Sequence, residues 1–277
     1  PFAFNDSIPV YGKALLDSCL LNNDYDYETL RDSLIYQIIS VTSNNFSITG
    51  NTISVIPTAS VDSTDTIVYR IGELLTENDT LWGNSAQTVL YASVDLNGSG
   101  TKSDPYIIAT LHDLKKVAET SYIWDKYFIQ TADIEASDTK NWNNNNGFSP
   151  IGNGEVNFSG NYNGKGHNIN GLQINRPSSD TIGLFGYTNT ANIDSIELRH
   201  INITGGSCTG GIIGVNDSSS IKYCSVSGSI SGNGYTGGLA GINCDSSVIE
   251  NCYVIGSVSN SSDYTGGLAG ANLSHST

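Results

Sequence analysis

Thr181-Ile182-Gly183-Leu184-Phe185-Gly186, Thr209-Gly210-Gly211-Ile212-Ile213-Gly214, Thr236-Gly237-Gly238-Leu239-Ala240-Gly241 and Thr265-Gly266-Gly267-Leu268-Ala269-Gly270 are copies of one motif. Gly183, Gly211, Gly238 and Gly267 stand 28, 27 and 29 residues apart. A second unit recurs between them, as Ile221-Lys222-Tyr223-Cys224-Ser225-Val226-Ser227-Gly228-Ser229-Ile230 and Ile249-Glu250-Asn251-Cys252-Tyr253-Val254-Ile255-Gly256-Ser257-Val258. Ile193-Asp194-Ser195-Ile196-Glu197-Leu198 is a divergent copy. A fixed period of roughly 20–50 residues marks a stacked solenoid or array.

Residue types select the kind of solenoid. Side chains alternate along each unit, with Cys252 and Val254 on one face and Tyr253 and Ile255 on the other, which is the period of a strand. Gly and Asn-Ser clusters punctuate the short strands, as tight corners require. Parallel stacking sets successive rungs about 4.8 Å apart. Val226 then lies over Val254, and Cys224 over Cys252, inside a narrow core. Gly211 with Gly214, Gly238 with Gly241, Gly267 with Gly270, and the less regular Gly183 with Gly186 either take a positive φ or leave room where rungs crowd.

These residues resemble the GLUG repeat, a Gly-centred unit found in several copies in bacterial surface proteins. The family pattern G-G-L-x-G followed by I-x-N-C-Y-x-x-G-x-V is followed closely at 238–258, more loosely at 211–230, and least at 183–203, where Ile196 replaces Cys. Two upstream stretches extend the resemblance over 98–277. One is the leader Gly98-Ser99-Gly100-Thr101-Lys102-Ser103-Asp104-Pro105-Tyr106. The other is the F-x-G-x-x-x-G-x-G-H-x-I-x-G-L segment 158–172, whose glycines and Asn163 suit a tight hairpin. The resemblance implies architecture more than activity.

Outward from the repeats, 127–134 reads as a first rung strand and 141–147, with its Asn run and Trp142, as an excursion loop. The stretch 110–122 reads as a helix, N-capped by Thr110 with Asp113 three residues on, its face Leu111, Leu114, Val117, Ala118 and Tyr122 apolar. An open solenoid end exposes unpaired strand edges, and this helix is placed to cover one. Residues 1–94 lack the period. Strand-like runs at 33–41, 46–55, 66–71 and 88–94 suggest a small sandwich of immunoglobulin-like type with Tyr69 and Trp82 as core anchors. Residues 14–21 read as a short helix or strand, and 24–32 as an acidic loop. The expected fold is all-β: a right-handed parallel β-helix (β-solenoid) over 127–277, a leader and capping helix over 95–126, and a small all-β domain over 1–94.

A net charge of −15 with a pI near 4.3 argues against nucleic-acid binding and repels anionic membrane surfaces. No apolar stretch is long enough to form a transmembrane helix. The absence of Met makes Pro1 a processed or excised end from which any signal peptide has gone. Of five cysteines, Cys224 and Cys252 are expected as stacked, reduced core residues, with a disulfide between them as the alternative, and Cys19 has no evident partner. Nine N-x-[ST] sequons fit a polar extracellular surface.

Candidates for chemistry are few. Asp95, Asn97 and Ser99 have the 1-3-5 spacing of a calcium loop, but Tyr106 stands where the bidentate Glu belongs. Asp194 with Glu197, and Asp133 with Glu135, are the closest carboxylate pairs. Neither has the cross-groove placement a glycosidase needs, and no histidine stands at a nucleophile motif. The expectation is no enzyme and no cofactor. The leading reading is a structural or adhesive module of a bacterial surface or secreted protein. The runners-up are a subunit of an extracellular filament and a carbohydrate-binding or carbohydrate-cleaving β-helix. Partners expected are a second copy, a host or cell-surface ligand, or glycans. The chain stops inside a repeat at Thr277, which raises head-to-tail assembly between unlike ends, or else further rungs in a longer chain.

Overall fold

The computed structural model describes residues 6–10, 13–15, 20, 34–42, 45–49, 51–55, 64–76, 79–92, 94–262 and 264–277. Cys19, the acidic stretch 24–32 and most of 14–21 lie outside them. The chain divides into two compact units, Pro1–Asp95 and Leu96–Thr277.

The first unit holds two sheets. Asp6–Val10, Asp79–Ala92, Thr64–Thr76 and Leu34–Val41 lie side by side in that order; the first pair is parallel and the others antiparallel. Lys13–Leu15, Thr52–Val55 and Phe46–Thr49 form a three-stranded antiparallel sheet, so the run 46–55 is a hairpin rather than one strand. The buried Asp65 carboxylate accepts the amides of Asn45 (3.0 Å) and Phe46 (3.3 Å), tying the longer sheet to the hairpin. Tyr69 is fully buried, as its alternating position demands. Trp82 is not a core residue: it is half-buried, with the Arg70 guanidinium 4.5 Å over its ring.

The second unit is a parallel β-solenoid of four sheets. From Asn161 onward the chain visits all four in turn, while the strands before it join only the first two. The first sheet runs through Tyr106–Ile108, Tyr127–Gln130, Asn161–Asn163, Asn192–Asp194, Ser220–Lys222 and Val248–Glu250. The second runs through Ile134–Glu135, Asn168–Asn170 with Gln173–Asn175, Glu197–Thr204, Ser225–Gly232 and Tyr253–Asn260. The third holds Thr181–Ile182, Cys208–Thr209, Tyr235–Gly237 and Tyr264–Gly266; the fourth holds Phe185–Asn189, Ile213–Asp217, Ala240–Cys244 and Ala269–Asn272.

Two local readings change. Residues 127–134 are not one strand: Tyr127–Gln130 belongs to the first sheet and Ile134–Glu135 to the second. Residues 158–172 form no hairpin, because Asn161–Asn163 and Asn168–Asn170 pair with rungs on different sheets. The glycines serve a corner between them. Asn163 Oδ1 accepts the Lys165 amide (2.8 Å), and Lys165 and Gly166 take φ of 54° and 76°.

The helix spans Leu111–Glu119 and is followed by a 3-10 turn, Ser121–Ile123, which takes up the rest of the stretch expected to be helical. Thr110 and Asp113 form the capping box: the Asp113 amide donates to Thr110 Oγ1 (3.1 Å) and the Thr110 amide to Asp113 Oδ2 (3.0 Å). Leu114 and Val117 are fully buried, and the helix packs on Tyr106–Ile108, the outermost strand of the first sheet.

Candidate functional site

Stacked rungs place one residue of each repeat in each column. On the second sheet Ile134, Ile169, Leu198, Val226 and Val254 form one inward column, and Ile174, Ile203, Ile230 and Val258 another. The recurring glycines of the motif leave room for these columns. A side chain at Gly211 would meet Gly238 O at 2.5 Å and Val226 Cγ1 at 2.8 Å; one at Gly238 would meet Gly267 O at 2.3 Å. None of the eight has a positive φ, and crowding is the operative role at Gly183, Gly186, Gly211, Gly214, Gly238, Gly241 and Gly270, whereas Gly267, on the last rung, has open space beside it.

Cys224 and Cys252 stack with free thiols: the Ile196 amide donates to Cys224 Sγ and the Cys224 amide to Cys252 Sγ, both at 3.4 Å. The Cys252 sulfur beside it and burial both push the Cys224 thiol well above its ordinary pKa. The pair is therefore part of the ladder, a small apolar filling that also accepts backbone donors.

A second interior column escaped the sequence reading. Thr188 Oγ1 donates to Asn216 Oδ1 (3.1 Å), Asn216 Nδ2 to Asn243 Oδ1 (2.7 Å), and Asn243 Nδ2 to Asn272 Oδ1 (2.7 Å). Thr188, Asn216 and Asn243 have no exposed surface. Beside them the Ala191 amide donates to Ser219 Oγ (2.9 Å) and the Ser219 amide to Ser247 Oγ (3.0 Å). A signal was present: Gly214-Val215-Asn216, Gly241-Ile242-Asn243 and Gly270-Ala271-Asn272 repeat G-x-N. One sequon is thereby corrected, because the Asn216 amide is inside the core and spent on Asn243.

Outward columns differ from rung to rung. Asn168, Glu197, Ser225 and Tyr253 share one, and Asp194, Lys222 and Glu250 another, where Lys222 and Glu250 pair at 2.8 Å. Tyr235 and Tyr264 stack with ring centroids 4.6 Å apart on the third sheet, in the column of Cys208, as their equivalent places before Thr-Gly-Gly suggest. Tyr223 and Tyr253 are more than half exposed, at 59% and 55%.

The carboxylate pairs are dispersed. Asp194 Oδ1 accepts the Ser195 hydroxyl (2.5 Å) on the first sheet, while Glu197 pairs with Arg199 (2.8 Å) on the second. Asp133 Oδ1 takes the Asn168 amide (3.0 Å) and lies 3.2 Å from His167 Nδ1; the amide first, and then the histidine, lower its pKa. Glu135 Oε2 accepts Asn170 Nδ2 (2.6 Å), which lowers its pKa in turn. Asp95 ends the first unit, and Asn97 and Ser99 sit in the leader turn of the second. There the Ile107 amide donates to Asn97 O (2.8 Å) and the Ser99 hydroxyl to Asp104 O (3.3 Å).

Asp217, Cys244 and Asp245 gather on the fourth sheet, with ligand atoms within 4.8 Å of one another. Asp217 Oδ2 already accepts Tyr187 OH (2.9 Å) and Asn189 Nδ2 (3.0 Å). Burial, followed by the two carboxylates, pushes the Cys244 thiol up to about 11. The thiol form is favoured there at neutral pH.

A concavity lies over the leading strands of the first sheet. A groove of about 390 Å³ is lined by Tyr127, Asn161, Asn163 and Asn192, with Lys102 and Lys165 among its other walls. A second, of about 350 Å³, is lined by Lys140, Asn145, Gln173 and Asn202 among others. It lies beside the excursion loop, where Asn143, Asn144 and Asn145 all have φ between 52° and 66°.

Residues 205–231 match the GLUG motif, which falls on the second copy of the repeat. The chain is 34% identical over 140 residues to halomucin of Haloquadratum walsbyi, covering 48% of this chain and 2% of halomucin. It is 32% identical over 138 residues to a protein of Evansella cellulosilytica described as a Gly-rich membrane protein, covering 45% of this chain and 15% of that one. The chain thus spans a small part of the curated relatives it matches. No solved structure matches it. The resemblance to GLUG-repeat proteins read from the sequence is shown. Among the described residues no helix is long and apolar enough to cross a membrane.

Proposed function

We propose that this chain is a non-catalytic structural and adhesive module of a cell-surface or secreted protein. It is a rigid stack that presents variable outer faces. The observation that carries this reading is the contrast between columns. Inward columns keep one chemical class, apolar from Ile134 to Val254 and amide from Asn216 to Asn272, whereas an outward column changes its charge from rung to rung, Asp194 to Lys222 to Glu250. Constant interiors keep the rungs in register, and changing exteriors are the surface such a repeat offers to partners. The relatives, one a halomucin and one described as a membrane protein, support a surface location.

The test is protease shaving of intact cells that make the native protein, followed by mass spectrometry of the released peptides. Peptides from 196–277 in the shaved or secreted fraction are expected. Their recovery only after lysis would overturn the location, and failure of the immobilised chain to retain any cell or matrix component would remove the adhesive part.

A further inference from the structure

We propose that the 390 Å³ groove on the first sheet is a binding site for an acidic glycan, a pyranose chain carrying carboxylates. Its size falls within the range of about 300–1,000 Å³ usual for small-ligand sites. The lining is a row of amides beside three aromatic residues, of which Phe128 and Tyr162 are buried and Tyr127 is half-exposed. Asn192 Nδ2 donates to Asn161 Oδ1 at 3.1 Å, which leaves Asn161 Nδ2 as a donor and Asn192 Oδ1 as an acceptor. Asn163 Oδ1 is taken by the Lys165 amide at 2.8 Å, which leaves its Nδ2 as a second donor. Tyr127, half-buried in the same strand pair, offers a ring with a hydroxyl at its tip.

This mixture selects the ligand. A sugar hydroxyl both gives and accepts hydrogen bonds, and so matches neighbouring donors and acceptors. A phosphate only accepts, and would meet the Asn192 carbonyl and the Asp194 carboxylate that also line the groove. The two lysines supply the remaining preference. Lys102 comes from the leader turn, and Lys165 from a corner longer than those below it: Asn163 to Asn168 spans five steps, whereas its partners Asp194 to Glu197 span three. The extra residues carry Lys165 to the groove. The lining holds two lysines against one aspartate, a local excess of one positive charge on a chain of net charge −15. A carboxylated sugar is the ligand that uses both the amides and the ammonium groups.

The experiment titrates the full chain with a glucuronate-containing disaccharide and, separately, with its neutral glucose counterpart, following amide shifts by NMR. Saturable binding of the acidic sugar is expected, with the neutral one at least ~10-fold weaker. Lys165→Gln, which retains the long side chain, should weaken acidic-sugar binding ~10-fold at an unchanged melting temperature, and Lys102→Gln should do the same. Lys140→Gln in the other groove should leave binding unaltered. No saturation by the acidic sugar, equal affinity for the neutral one, or unaltered binding by both Lys165→Gln and Lys102→Gln would each overturn the proposal. These outcomes do not depend on where the protein resides, so failure here leaves the surface reading standing.

Discussion

The leading end of the solenoid and its regular repeats solve the same packing problem with different materials. At the leading end the core is aromatic. Tyr106, Phe128, Phe158, Tyr162 and Phe185 form a linked cluster with ring centroids 4.9–6.3 Å apart, and all are buried. In the repeats the rings are gone: the column beginning at Phe185 continues through Ile213, Ala240 and Ala269. Volume is replaced there by close approach of rungs across glycines and by side chains that hydrogen-bond to their own copies. The leading end holds by irregular packing, while the repeats hold by register. A single misfit in the repeats is felt one rung away.

The largest effect should come from placing a charge in a repeat column. Val226→Asp puts a carboxylate where 1% of the residue is exposed and the column neighbours are Leu198 and Val254. A loss of about 4 kcal/mol or more is expected in chemical denaturation, from an unpaired buried charge. An unchanged midpoint would break the proposed register.

Removing an aromatic from the leading end should cost slightly less. Phe158 is fully buried between Phe128 at 5.8 Å and Phe185 at 4.9 Å. Phe158→Ala should destabilise by about 3–5 kcal/mol through lost burial and a residual cavity. A loss below about 1 kcal/mol would show that the leading end collapses freely and is no tighter than the repeats.

How much of this was legible follows the same divide. The period of the glycines and the alternation around Val226 and Val254 carried the solenoid, and the capping box at Thr110 carried the helix. The leading end misled, because its corners contain inserted residues. The stretch 158–172 looked like a hairpin since Gly164, Gly166 and Asn163 are turn formers in either setting. Parallel stacking is decided by partners 31 residues away, such as Asn192 over Asn161, and no local signal separates the two. The asparagine column is hidden in the sequence for a different reason: asparagine is a polar residue usual at the surface, and only a partner of the same kind one rung away satisfies it inside. The groove was invisible, since Lys102, Tyr127, Asn161 and Lys165 come together only when the rungs are stacked.

The smallest effect concerns the exposed second sheet near the leading end. Asp133 has its pKa lowered from 3.8 by the Asn168 amide and then His167. A carboxylate depressed in the folded state adds stability above its ordinary pKa, and that contribution is lost as pH falls through the folded value. The melting temperature should therefore hold from neutrality to about pH 4 and decline below it, with Asp133→Asn removing a small part of the decline. Because Asp133 is solvent-exposed, a large change with this variant would mean that the corner is more deeply coupled to the core than its surface position implies.

The central claim, that the repeats are held in register by side chains bonding to their copies, is tested most directly by a double-mutant cycle on Asn216 and Asn243. Their amides meet at 2.7 Å with both residues fully buried. Each single change to Ala strands a buried donor or acceptor and should cost about 1–3 kcal/mol. The double variant should cost less than the sum by about 1 kcal/mol or more, because the second removal takes away a group already without its partner. Additivity within about 0.5 kcal/mol would contradict the account, placing the two asparagines in separate environments and removing the ladder.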